Sequence, residues 1–117
     1  NKIIAFLSFL FPILLIGCIQ SNIPEGSPKW IQNLVTTYRR EVVGNPPQSI
    51  WQYEYNDQTV YYVPAQCCDQ FSTLYDTSGE VICAPDGGFT GQGDGKCPDF
   101  FHLRKNENLI WEDSRTP

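Results

Sequence analysis

Residues 50–63 read IWQYEYNDQTVYYV, and their period decides the fold. Trp51, Tyr53 and Tyr55 recur at every second position, which places their side chains on one face of an extended strand. Asn56 and Asp57 are turn formers. Residues 59–63 then return as a run of β-branched and aromatic side chains, the types favoured on a pleated, half-buried surface. The stretch predicts a hairpin with an aromatic face.

Moving outward, 71–76 (FSTLYD) and 80–84 (EVICA) flank Thr77-Ser78-Gly79 and read as a second hairpin. Residues 100–111 admit two readings: a last hairpin around 105–108, or a loop closed by a strand at 109–111. Upstream the period changes. Ser27 can cap free N–H groups, Pro28 suits a first helical turn, and Ile31, Leu34, Val35, Tyr38 and Val42 form one apolar stripe at helical spacing. Gly44, Pro46 and Pro47 stop it. The expectation is an α+β domain with one N-terminal amphipathic helix packed on a small antiparallel sheet of four to five strands, crossed by two disulfides.

Residues 1–17 (NKIIAFLSFLFPILLIG) carry a single charge, Lys2, ahead of a continuous apolar run. They read as a secretory signal, too short for a multi-span membrane protein. Leu15-Ile16-Gly17-Cys18 resembles a bacterial lipoprotein cleavage box, and that resemblance implies acylation of Cys18 and a membrane anchor of several acyl chains. Ile19, where Asp would hold a lipoprotein back, points to the outer membrane. The expected order is a signal at 1–17, the lipidated cysteine and a polar tether at 18–27, and one domain at 28–117. Removing the signal leaves 100 of the 117 residues with a net charge of about −6, too acidic for a nucleic-acid partner.

Four cysteines remain beyond Cys18: Cys67, Cys68, Cys83 and Cys97. An exported chain with an even count reads as a disulfide framework. Neighbouring cysteines on an extended segment point to opposite sides. Two connectivities follow: Cys67 with Cys83 and Cys68 with Cys97, or Cys67 with Cys97 and Cys68 with Cys83. Zinc or thioredoxin-like chemistry would want a C-x-x-C pair, which is absent.

Residues 85–100 (PDGGFTGQGDGKCPDF) crowd five glycines between 87 and 95 beside Asp86, Asp94 and Asp99. Thr90 and Cys97 stand where a nucleotide loop needs Gly and Ser or Thr, so a phosphate cradle is ruled out. Calcium is the cofactor such a loop suits, with Asp86, Asp94 and Asp99 as hard oxygen ligands. The preferred reading is that the same carboxylates serve as turn caps in a loop pinned by cysteines, so no cofactor is expected and calcium is the alternative. His102 is the one histidine, flanked by Phe101 and Leu103, and no nucleophile elbow accompanies it. Enzymatic activity is therefore not expected. Tyr53, Tyr55, Tyr61, Tyr62 and Phe89 are the candidate binding surface, for a protein or a glycan, if one face of the hairpin escapes the helix.

Val60-Tyr61-Tyr62-Val63, Cys67-Cys68-Asp69-Gln70-Phe71, Leu74-Tyr75-Asp76 and Gly87-Gly88-x-Thr90-Gly91-x-Gly93-Asp94-Gly95-x-Cys97-Pro98-Asp99-Phe100 together resemble an uncharacterised family of small bacterial secreted and lipoprotein domains, typical of Bacteroidota. The resemblance implies an exported address and an expected fold, and it brings no catalytic residues. The reading that results is a lipid-anchored cell-envelope module that binds or scaffolds. One alternative is a small calcium-dependent or carboxylate-based envelope enzyme, which predicts a cleft gathering His102 with carboxylates. Another is an inhibitor of secreted enzymes, which predicts a protruding loop at 89–96.

Overall fold

A computed structural model describes Pro12, residues 22–67 and residues 69–117. Helix α1 (Lys29–Arg40) precedes strands β1 (Ser49–Tyr55), β2 (Gln58–Val63), β3 (Thr73–Tyr75) and β4 (Val81–Cys83). The short helix α2 (Phe100–Leu103) and strand β5 (Lys105–Glu112) follow. The five strands form one antiparallel sheet in the order β4-β3-β2-β1-β5. Among the described residues no helix is long and apolar enough to cross a membrane.

The first hairpin forms as its period predicts. Asn56 and Asp57 both take positive φ, and β1 pairs β2 from Trp51 opposite Tyr62 to Tyr55 opposite Gln58. This tight turn suits the twist of the flanking strands. The second hairpin closes on Asp76, whose Oδ1 accepts from the N–H groups of Ser78 and Glu80. Residues 100–111 form no hairpin; the expected strand at 109–111 is there, but it starts earlier and follows a short helix rather than a loop. They give α2 and then an eight-residue strand, β5, which leaves its own neighbourhood to pair with β1.

Helix α1 ends earlier than its apolar spacing suggested. Glu41 is already extended and Val42 is 94% exposed. At that end the Arg115 guanidinium, far along the chain, donates to the carbonyl oxygens of Tyr38, Arg39 and Glu41, serving acceptors the last turn leaves exposed. Ser27 is not the cap it was expected to be. Its hydroxyl donates to the Pro24 carbonyl, and Pro28 occupies the N-cap position without a side-chain bond.

Both faces of the sheet are covered. On one, Ile31 and Val35 of α1 bury against Ile50, Tyr61, Val63, Ile110 and Trp111. Trp30 joins them edge-to-face with Tyr61 at 5.4 Å and donates its indole N–H to Thr77. Ile23, inside the expected tether, also packs on this cluster. On the other face, Tyr53, Tyr55, Val60, Tyr62 and Leu74 meet Cys83, Cys97 and Phe100. A helix layer, a sheet and a loop layer result, with an apolar seam on each side of the sheet.

Candidate functional site

The loop layer is the stretch from 84 to 100, and three devices hold it. The first is covalent: Cys83 and Cys97 form a disulfide across 14 positions with Cα atoms 6.2 Å apart. This pairing overturns both expected connectivities. Each of those crossed a cysteine of the 67–68 pair to the glycine loop, whereas the loop turns back on its own start. Cys67 is disulfide-bonded as well; Cys68 and Cys18 lie outside the described residues.

The second device is backbone hydrogen bonding. Gly93 donates to Gly87, Gly91 to Gly88, Asp94 to Ala84 and Gly88 to Gln70. Gly93 takes φ +70°, and a Cβ there would run into the Ala84 carbonyl oxygen. Only glycine fits that close approach.

Carboxylates supply the third. Asp94 accepts from the N–H groups of Lys96 and Ala84 at 3.0 and 3.1 Å. The Lys96 bond above all holds its carboxyl below the usual range. Asp86 accepts from the Tyr62 hydroxyl at 2.7 Å, and Asp99 accepts from Tyr55. The three carboxylates expected to share a calcium ion are thus each spent on a different neighbour. Among the described residues no group of three or more metal-ligating side chains gathers at all.

These same bonds explain the fate of the expected binding surface. Tyr53, Tyr55, Tyr61 and Tyr62 are all buried. The sequence shows that one sheet face needs a helix, but not that the glycine loop and α2 cover the other. Phe100, fully buried, sits at the centre of that second cover, 5.4–5.6 Å from the rings of Tyr53, Tyr55 and Tyr62. Tyr53 donates to Glu107 at 2.6 Å and accepts from Arg104 at 3.1 Å. Burial and then the Glu107 bond push its hydroxyl up to about 12. Burial, and then Asp86, raises Tyr62 further still. The Arg104 guanidinium also lies over the rings of Tyr53 and Phe101, at 5.0 and 4.9 Å. His102 is exposed on α2.

Among the polar and glycine residues that the loop exposes stands one large apolar side chain. Phe89 is 92% exposed, and Phe71 is 56% exposed with its ring over Gly88, the residue before Phe89. A groove of 570 Å³ runs alongside, lined among others by Pro85, Asp86, Thr90, Gln92, Asp94 and Phe101. Of the expected surface residues Phe89 alone faces solvent. Phe71 was not singled out, because nothing in FSTLYD separates a strand residue that packs inward from one that leans on a neighbouring loop.

The matches to known proteins bear on this layout. A family model described as a domain of unknown function, DUF6970, matches residues 36–113. The chain belongs to that family. The DUF6970 span takes in all five strands, the Cys83–Cys97 disulfide, the glycine loop and Asp113, and it begins part-way along α1. No curated protein and no solved structure matches the chain.

Proposed function

We propose that this DUF6970 domain is a lipid-anchored module of the bacterial cell envelope that binds a protein partner through the outer face of its glycine loop and catalyses no reaction. One observation carries the binding half: Phe89 stands in solvent on a loop that a disulfide and a ladder of backbone bonds already hold in one shape. Burying a phenylalanine side chain is worth roughly 1.5–3 kcal/mol, and this fold leaves that gain unused. A rigid aromatic on a preorganised loop costs little entropy when a partner covers it. The anchor half rests on the Leu15-Ile16-Gly17-Cys18 box.

The inhibitor reading shares the same observation, since 89–92 and 94–96 are exposed as a continuous surface stretch. The enzyme reading predicts a cleft gathering His102 with carboxylates; His102 itself is exposed on α2.

A photo-crosslinking residue at position 89, compared with one at the equally exposed position 42, tests the binding half in the intact envelope. A discrete adduct from 89 alone is the expected result. Identical patterns from both positions, or none from 89, count against it. Palmitate labelling of the full chain, lost in Cys18→Ser, tests the anchor.

A further inference from the structure

We infer that the disulfide at Cys67 is a thiol-exchange site, opened and re-formed by a dithiol while the Cys83–Cys97 bond stays closed. The two bonds differ in what can reach them. Cys83 and Cys97 are 2% and 4% exposed, inside the apolar seam around Phe100. Cys67 is disulfide-bonded too, but it stands exposed at the surface. Exchange needs a thiolate to meet a disulfide sulfur, so access governs it, and exposed bonds are the labile ones. Because Cys83 and Cys97 hold each other, the bond at Cys67 can open without breaking theirs.

The place of Cys67 in the fold gives the exchange a consequence. Its carbonyl accepts from the N–H of Gln70 at 3.1 Å, and the Gln70 carbonyl accepts in turn from Gly88 at 3.0 Å. Phe71 then bridges to Gly87 and lays its ring over Gly88. The 67–70 turn therefore braces the glycine loop from outside, where the Cys83–Cys97 bond pins it from inside. Opening follows ordinary thiol–disulfide chemistry. The incoming thiolate attacks Sγ of Cys67 and forms a new S–S bond. The old bond breaks, and its electron pair leaves on the former partner's sulfur, which takes up a proton. The second thiol of the same reductant then attacks the mixed disulfide. Cys67 leaves as a thiol and the reductant as a disulfide, two electrons having passed to the protein. This site is separate from the Phe89 surface and does not depend on it.

The test exposes the full chain to graded dithiothreitol, blocks thiols with iodoacetamide and maps chymotryptic peptides. Cys67 should be alkylated at about tenfold lower reductant than Cys83 or Cys97, with circular dichroism unchanged. Deuterium exchange of the selectively reduced protein should be faster at the Gly88 N–H. Alkylation of the three cysteines together, of Cys67 last, or of Cys67 without any reductant overturns the exchange site. Selective reduction that leaves Gly88 exchange unaltered overturns the link to the loop and leaves the site standing.

Discussion

Arg115 donates to the carbonyl oxygen of Tyr38 at 3.0 Å across 77 positions, and the same guanidinium is gripped by Asp113 at 2.6 Å. The last turn of α1 is therefore closed by a side chain beyond β5, and the helix docks on the sheet through it. Arg115→Ala should lower the thermal stability, since several main-chain acceptors lose a charged donor that is itself partly in water. Arg115→Lys should recover only part, because an ammonium cannot span three carbonyls. Thermal melts of the three proteins decide it.

The tyrosines make the fold sensitive to alkali. Burial raises Tyr38 and Tyr53 to about 12, and Tyr62 is raised as well. In the unfolded chain these hydroxyls ionise near 10. The stability stored in keeping them neutral is complete below about pH 10 and is lost as pH rises through about 12. Denaturant midpoints measured across that window should fall. Tyr53→Phe should flatten the fall while lowering stability at neutral pH, because Arg104 and Glu107 lose their shared partner.

At the acid end the sign reverses. The bond from Arg115 holds the Asp113 carboxyl below its usual value. Its contribution is present above the ordinary carboxylate range near 4 and is lost as pH falls below it. Asp113→Asn should shift the acid-unfolding midpoint less with pH than the parent chain does, as urea melts between about pH 5 and pH 2 would show.

Two glycines of the loop separate crowding from backbone strain. Gly91 and Gly93 both have positive φ, but a Cβ at Gly91 meets open space whereas one at Gly93 meets the Ala84 carbonyl. Gly91→Ala should cost about 1–2 kcal/mol. Gly93→Ala should cost clearly more and reduce the yield of the Cys83–Cys97 bond, read by urea melts and by peptide mapping without reductant.

The disulfide gives a covalent check on the loop. Mapping should recover 83 joined to 97. The Cys83→Ser, Cys97→Ser double variant should lose about 3 kcal/mol, the estimate for closing a loop of this length.

How far the residues announce this structure depends on where each element finds its partners. The 49–63 hairpin is legible because its period, its turn and its aromatic content are all local. Only the apolar half of β5, 109–111, is legible: KNEN at 105–108 is polar throughout, Asn106 has positive φ, and that part pairs as a strand against the edge of β1. Val42 continues the helical stripe on paper, yet the helix stops where Arg115 reaches it. The buried tyrosines announce a sheet face without saying what covers it. That cover is a loop whose fold depends on a cysteine pairing that spacing alone left open. Phe89 was legible as a candidate because a phenylalanine among glycines has few apolar neighbours to pack on.

The antiparallel join of β1 to β5 carries one more consequence. α1 and β1 are made early, but the edge that flanks β1 and the guanidinium that closes α1 are made among the last residues described. A nascent chain halted before 105 would hold β1 bare on one side and its helix uncapped. Such a chain should stay protease-sensitive until synthesis passes that point, because its closing contacts are the most distant in sequence.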